Sequence, residues 1–285
     1  MKTPTVLVLL IAGLALLAAG SGLFWSPAGE PFQFATPRGE LVTANGRGLY
    51  HFDTVSSAAQ QRAQDVVTLA LGIPLLLASA RMAARGSLRG RLLLSGTLGY
   101  FLYTYASMSF NTAYNQLFLV YVALFSLSLF GFVLTLMTFD VAALPARFSD
   151  QLPRRGIAGL FFVVGGFLSL AWLGRIGPSL LTGAPPFGLE STTTLVIQVL
   201  DLGLVVPLAV IAAVLLLRRR PWGYLLASVA LLKFLTMSIA VAAMAVNILI
   251  VGEAISAVEL VVFPSIAVVT AGFTVALLRN VRETA

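Results

Sequence analysis

The chain has 285 residues, of which 59% are hydrophobic and only 10% are charged. A soluble domain carries about 25% charged residues, so this composition excludes a soluble globular protein. The net charge of +7 comes from basic residues in short segments between apolar runs, where they set membrane topology and do not form a nucleic-acid-binding face. Cysteine is absent and His51 is the single histidine, so we predict no disulfide, catalytic thiol, metal centre or cofactor site built from these ligands.

Apolar runs of membrane-spanning length follow one another along the chain. A helix that crosses a bilayer needs about 20 apolar residues, and eight runs reach this length. We therefore predict an all-α, polytopic membrane helical bundle with eight transmembrane helices, in the cell or inner membrane. The predicted spans are 4–24, 62–83, 92–110, 115–138, 156–176, 192–217, 222–249 and 254–278.

The first span has features of a signal peptide. It follows Lys2 and ends in small residues, but its apolar run is longer than a signal core and continues into the interfacial aromatic Trp25. We predict that this helix is retained.

One long extramembrane segment is predicted, the first outer loop at 25–60. Two alternating runs, FQFAT and ELVTA, flank Pro37, Arg38 and Gly39, and this pattern predicts a β-hairpin. Asp53 is predicted to cap the helix that continues into the second span. The loop is either a lid that covers the helix ends or a dedicated binding element, and both interpretations stay open.

The distribution of basic residues predicts the orientation. Thirteen of the 18 lysines and arginines lie on one side of the predicted spans, in the N-terminal segment, three loops and the C-terminal tail. The opposite side holds four, and Lys233 lies within a span. The positive-inside rule therefore places both termini in the cytoplasm.

The two halves of the chain resemble each other. A shift of 133 residues aligns 74–102 with 207–235 without a gap, and eleven of the 29 positions are identical, including Pro74 with Pro207. This pattern predicts a duplicated four-helix unit, residues 1–140 and residues 141–285, with both copies in the same orientation. Because five of the identities are Leu, a chance match between two apolar hairpins is the alternative.

Polar residues recur at helical spacing in several spans, mostly in the outward half. Lipid cannot satisfy such faces, so we predict that they turn inward and form a polar vestibule that opens outward. The alternative is that these groups only fix helix packing. The residues predicted to line a substrate or ion pathway are Asp201, Lys233, Gln198, Asp65, Tyr100, Asn111 and Glu259.

Asp201 and Lys233 are the deepest ionisable residues. Counted along helices from the basic turn at 218–220, they lie about 26 Å and 20 Å above it, so a lysine side chain spans the difference. An unpaired charge at this depth costs several kcal/mol. We therefore predict an Asp201–Lys233 ion pair, with Gln198, Thr236 or Tyr100 satisfying the remaining groups.

Three functions are compatible with this pattern. The favoured one is a transporter, permease or channel for a small polar solute or ion, which passes between two helical repeats. The second is a non-catalytic membrane subunit, receptor or scaffold. The third is a membrane-embedded enzyme that uses Asp201 or Lys233 as acid or base, for which no metal-ligand or nucleophile motif is present. The lipid bilayer is the predicted surroundings, nucleic acid is not a predicted partner, and the oligomeric state is left open.

Overall fold

Backbone polar groups find no water inside a bilayer, and this chain satisfies them within helices. The computed structural model describes residues 2–283, with side chains at 6–256 and 260–283. Helix accounts for 72% of it, and the predicted all-α helical bundle is confirmed. The described range contains eight long helices: α1 (Lys2–Phe24), α2 (Val55–Ala84), α3 (Leu88–Asn111), α4 (Phe118–Leu136), α5 (Arg154–Thr182), α6 (Val196–Leu217), α7 (Pro221–Ile250) and α8 (Ala257–Arg279).

Seven of these helices, among the residues described, are long and apolar enough to cross a membrane. The chain is therefore a multi-pass membrane protein by the length and composition of its helices. The one that does not qualify is α3, which carries Arg89 and Arg91 in its first turn and many hydroxyl side chains after them. It packs against α2, α4 and α7 and the start of α6, so other helices cover much of its polar surface.

The bundle core consists of two apolar clusters. One gathers side chains of α1 to α4 around Phe101 and Tyr105, and it extends to Ala240 of α7. The other gathers side chains of α5 to α8 around Phe161 and Phe234, whose rings meet edge to face at 5.5 Å. Helices α3 and α7 pack against each other between the two clusters.

Helices α2 and α6 each contain one wide, π-helical turn, at Thr68–Gly72 and at Asp201–Val205. After each turn the backbone N–H donates to the carbonyl five residues earlier, Ile73 to Thr68 and Val206 to Asp201. A proline follows at once in both helices. Because proline lacks an N–H and clashes with the carbonyl four residues before it, the wide turn relieves both problems. The sequence analysis did not predict these turns.

Close backbone contact shapes the short turns after α2 and α6. A Cβ atom on Gly90 would lie 2.5 Å from the backbone nitrogen of Ala83, and one on Gly223 would lie 2.4 Å from the carbonyl carbon of Leu215. Only glycine therefore lets α3 and α7 begin so close to the preceding helix.

The predicted outer hairpin is confirmed. Strands β1 (Phe32–Ala35) and β2 (Leu41–Ala44) pair antiparallel around the predicted turn. The predicted helix cap is wrong by one residue: Thr54 is the N-cap of α2, and its hydroxyl accepts a hydrogen bond from Ser57 N. Asp53 has a different environment, described below.

At the end of the bundle opposite the hairpin, Glu283 caps the N-terminus of α3. Its Oε2 accepts from Leu88 N at 2.7 Å, and its Oε1 accepts from Ser87 Oγ at 2.7 Å and Arg89 N at 3.0 Å. The Arg89 guanidinium donates in return to two carbonyls at the end of α8, those of Leu278 and Val281. These hydrogen bonds hold the pKa of Glu283 below its usual range.

Candidate functional site

Asp201 begins the wide turn of α6, is fully buried, and is held by side chains of two other helices. Tyr103 of α3 donates its hydroxyl to Oδ1 at 2.7 Å, and Trp172 of α5 donates its indole N–H to Oδ2 at 2.9 Å. Each carboxylate oxygen thus has a donor, and such charge-assisted bonds are the stronger kind. Neither partner was predicted from the sequence.

Lys233 of α7 lies on the other side of Tyr103. Its Nζ is 3.4 Å from the centroid of the Tyr103 ring, a close cation–π contact. The lysine is 6% exposed, and among the described residues its ammonium has no hydrogen-bond acceptor.

The predicted Asp201–Lys233 ion pair is therefore wrong in its direct form. The ion pair found within the described residues is a different one, between Arg38 and Glu40 of the outer hairpin. The axial heights of Asp201 and Lys233 were compatible with contact. The aromatic ring of Tyr103 occupies the space between them.

The other predicted pathway residues have different surroundings. Gln198 lies one turn before Asp201, is 6% exposed, and its amide makes no hydrogen bond within the described part of the chain. The predicted role of Gln198 and Tyr100 as partners of the ion pair is thus not seen, and Thr236 donates to backbone carbonyls of its own helix. Asn111 is half-buried at the end of α3. The side chain of Glu259 lies outside the described residues.

Asp65 and Tyr100 belong to a second buried polar group, in the first half of the bundle. Asp65 Oδ2 accepts from the Tyr50 hydroxyl at 2.7 Å, and it packs so close to Gly22 of α1 that a Cβ there would overlap it. Tyr100 of α3 contacts the residues of α2 on either side of Asp65: its hydroxyl accepts from Gln64 Nε2 at 2.6 Å and pairs with Thr68 Oγ1 at 2.9 Å.

Asp53 forms the outermost polar group. Its Oδ1 accepts from Gln61 Nε2 at 3.0 Å, from Ala113 N at 3.1 Å and from Ser57 Oγ at 3.3 Å. The carboxyl is 3% exposed, and burial raises its pKa to about 6 although these donors oppose the shift. Asp53 thereby ties the first outer loop to the connection between α3 and α4.

The first outer loop also contacts the segment before α6. Arg38 donates to the carbonyls of Glu190 and Thr192 at 3.1 and 3.0 Å, and the Thr54 hydroxyl donates to the Glu190 carboxylate. The two outer loops thus meet above the bundle.

The vestibule predicted to open outward is closed at these residues, because Asp65, Asp201 and Lys233 are all at least 94% buried. Two small crevices in the described structure are apolar, one beside Leu92 and Leu277 and one beside Phe167 and Phe263. Neither is lined by a predicted pathway residue.

Tyr103 and Trp172 could have been found by one signal, since both belong to helices that must face the ionisable residue of α6. The sequence, however, does not indicate whether an aromatic residue in an apolar span faces lipid or protein.

Comparison with known protein families, curated proteins and solved structures finds no match for this chain.

Proposed function

We propose that the protein is a transporter, permease or channel-like protein for a small polar solute or ion, and that Lys233 belongs to its solute site. The observation that carries the proposal is a buried ammonium whose described contact is an aromatic face and which has no hydrogen-bond acceptor. An ionisable group inside a membrane bundle is costly, and a purely structural one is normally paired. A group that receives an acceptor from a passing solute needs no permanent partner.

Two further features support this proposal. The unbonded amide of Gln198 lies on the same helix face as Asp201, three residues earlier, and offers both donors and an acceptor. The wide turns begin or end beside the polar groups, and π-helical turns occur frequently at functional sites. The polar side chains of α3, α6 and α7 therefore converge where half-helices join.

We also propose that α3 is an eighth span and that the chain contains two four-helix repeats. The wide turns support the repeat, because Thr68 and Asp201 differ by the same 133 residues as the sequence alignment. The packing supports it as well: the second helix of each unit packs on the third, and the third on the fourth. An experimental structure in which Pro74 and Pro207 fail to superpose within one helical turn, about 5.4 Å, would contradict the duplication.

The test of function begins with native mass spectrometry of the purified protein in lipid nanodiscs, to identify any small molecule that remains bound. Uptake of that compound into proteoliposomes is then compared for the wild type, Lys233→Met and the control Leu235→Met on the same helix. We expect Lys233→Met to fold but to lose bound compound and uptake by at least about tenfold, the effect of about 1.4 kcal/mol. Unchanged binding and uptake in Lys233→Met would overturn the proposal.

The second candidate is a non-transporting membrane receptor or subunit. The contact between the two outer loops favours it, since both loops close over the bundle. In that case the combined replacement of Asp201 and Lys233 by apolar residues of similar volume would leave both stability and function nearly intact. For a transporter, the same double variant folds and loses uptake.

A further inference from the structure

Three fully buried polar atoms at the outer end of the first half have no hydrogen-bond partner among the described residues. They are Asp53 Oδ2, Asn115 Nδ2 and the Tyr121 hydroxyl. The three residues are 3%, 8% and 1% exposed. Leaving a buried polar atom unsatisfied costs about 1–3 kcal/mol, so three in one region indicate a molecule that satisfies them together.

These three side chains are neighbours. The Tyr121 hydroxyl lies close to the side chains of Asn115 and Tyr50, and the charges of Asp53 and Asp65 both act on it. Asp53 and Asn115 are further linked through the connection between α3 and α4, where Asp53 Oδ1 accepts from Ala113 N. The cluster of Asp53, Asn115 and Tyr121 is hereafter the outer polar cluster.

The donor and acceptor pattern of the outer polar cluster selects the ligand. Asp53 offers an acceptor, Asn115 offers donor hydrogens, and Tyr121 offers either. The orientation of the Asn115 amide is fixed, because its Oδ1 accepts from Leu117 N at 2.9 Å. A bare metal cation cannot bond to the Asn115 amide hydrogens, whereas a water molecule donates to Asp53 and accepts from Asn115 at once.

We propose that the outer polar cluster binds a water molecule, and that this water connects Asp53 to Asp65 as the entry path for a proton from the outer side. The inference rests on the proposed transport function and names its coupling ion. The second half of the path is already in place, since the Tyr50 hydroxyl donates to Asp65 Oδ2 at 2.7 Å.

Proton transfer along this path leaves the water and both tyrosines in the protonation state in which they began. Protonated Asp53 gives its proton to the water, which passes one of its own to the Tyr121 oxygen. Tyr121 releases its original hydroxyl proton to Tyr50, and Tyr50 releases its proton to the Asp65 carboxylate. One O–H bond forms and one breaks at each intermediate group. The net change is the loss of one proton from Asp53 and the gain of one by Asp65.

The charges around Asp53 are compatible with this role. Glu190 faces it from the segment before α6 and disfavours the ionised carboxyl, while Ser57, Gln61 and the backbone N–H of Ala113 favour it. Burial raises the pKa of Asp53 to about 6.

The first measurement is thermal, on wild type, Tyr121→Phe and the control Tyr114→Phe in detergent. Tyr114 is 79% exposed at the same end of the bundle and contacts the ring of Phe118. If Tyr121 holds a bound water, Tyr121→Phe lowers the melting temperature and Tyr114→Phe leaves it unchanged. If Tyr121→Phe melts at or above the wild-type temperature, the Tyr121 hydroxyl of the wild type binds no water, and the water site is overturned.

The second measurement is proton flux into proteoliposomes that contain a pH-sensitive dye, with potassium and valinomycin to set the potential. We expect wild-type flux to rise as the outer pH falls through about 6. Flux should fall at least about tenfold in Tyr121→Phe and Asp65→Asn and stay unchanged in Tyr114→Phe. A proton flux in Tyr121→Phe equal to that of the wild type would overturn the proton path. A wild type that takes up its solute without proton flux would overturn this inference alone, whereas loss of solute binding and uptake concerns the proposed function.

Discussion

At the scale of single residues, Tyr103 determines how the buried charges of the second half are arranged. Its hydroxyl satisfies Asp201 while its ring face contacts Lys233, so one side chain uses its two ends for opposite charges. The polar atom and the π face of tyrosine lie in different directions. The carboxylate and the ammonium therefore make no direct ion pair, although each acts on the other through its charge.

Removal of the Tyr103 hydroxyl tests this arrangement. Tyr103→Phe keeps the ring beneath Lys233 but leaves Asp201 Oδ1 without its donor. We expect the free energy of unfolding to fall by about 2 kcal/mol, the range for a hydrogen bond to a charged group. Denaturant titration of the purified protein in detergent measures the change, with Tyr114→Phe as the control. A loss below about 0.5 kcal/mol would mean that Asp201 does not depend on this donor.

The buried carboxyl of Asp53 makes stability depend on pH. Its pKa rises from 3.8 to about 6 on folding, so the folded protein binds the proton more tightly than the unfolded chain. The resulting stabilisation is complete below pH 3.8 and is lost as the pH rises through about 6, to a total of about 3 kcal/mol. Melting temperatures measured from pH 4.5 to 7.5 should therefore fall in the wild type, and should vary much less in Asp53→Asn. Equal slopes would contradict the buried, protonatable Asp53.

Sequence patterns at this scale identified which residues are polar and buried but not their partners. The predicted inward faces include Asp65, Tyr100 and Asp201, and all three are buried. The predicted pairing of Asp201 failed because heights along a helix axis do not state what lies between two helices. Tyr50 is a second example, since it reaches Asp65 from a loop that no helical spacing describes.

At the scale of elements, the exchange of caps between α3 and α8 joins the C-terminal segment to the start of α3. Glu283 accepts hydrogen bonds from the free N–H groups of Leu88 and Arg89, and its negative charge interacts favourably with the positive end of the helix dipole. Arg89 in turn donates to carbonyls at the C-terminal end of α8. Each helix end thereby receives the charge that its dipole favours.

The variant Glu283→Gln tests this cap. We expect a loss of about 1 kcal/mol at neutral pH, as for other helix N-caps. Because folding lowers the pKa of Glu283, its stabilisation is present above the usual glutamate range and disappears as the pH falls through the lowered value. The difference in melting temperature between wild type and variant should therefore shrink at acidic pH. Glu253→Gln, at an exposed glutamate, is the control, and a difference that persists in acid would contradict the cap.

Element positions were easier to predict than their internal geometry. Each of the eight predicted apolar runs overlaps one long helix, although 115–138, 192–217 and 254–278 extend up to four residues beyond theirs. The hairpin follows from turn residues and alternation. The wide turns at Thr68–Gly72 and Asp201–Val205 were not predicted, because one additional residue in a turn does not change the composition of the helix. Pro74 and Pro207 were signals of irregularity, but a proline predicts a kink as readily as a wide turn.

At the scale of the whole molecule, the outer loops close the end where the polar groups lie. Both Arg38 and Thr54 of the first outer loop contact the segment around Glu190, which belongs to the second half of the chain. Opening of the proposed solute pathway from this side therefore requires that these contacts break. The same loops make the orientation of the protein directly measurable.

The predicted orientation has a clean cysteine test, because the native chain contains none. Ala28 lies in the first outer loop and Ala84 at the end of α2, and both are exposed. In intact cells, Ala28→Cys should react with a membrane-impermeant thiol reagent, and Ala84→Cys should react only after the membrane is permeabilised. The reverse pattern would place the termini outside.

The polarity of α3 also has a consequence for synthesis. This helix is the one long helix of the described range that is not apolar enough to qualify as a span, and its long-range partner α7 begins at Pro221, about 110 residues after α3 ends at Asn111. At about 5–20 residues per second, α3 is complete about 5–20 s before α7 emerges from the ribosome. During that interval its hydroxyl groups have only α2 and α4 for cover. If α3 spans the membrane as proposed, its insertion therefore precedes the synthesis of the neighbour that covers much of its polar surface.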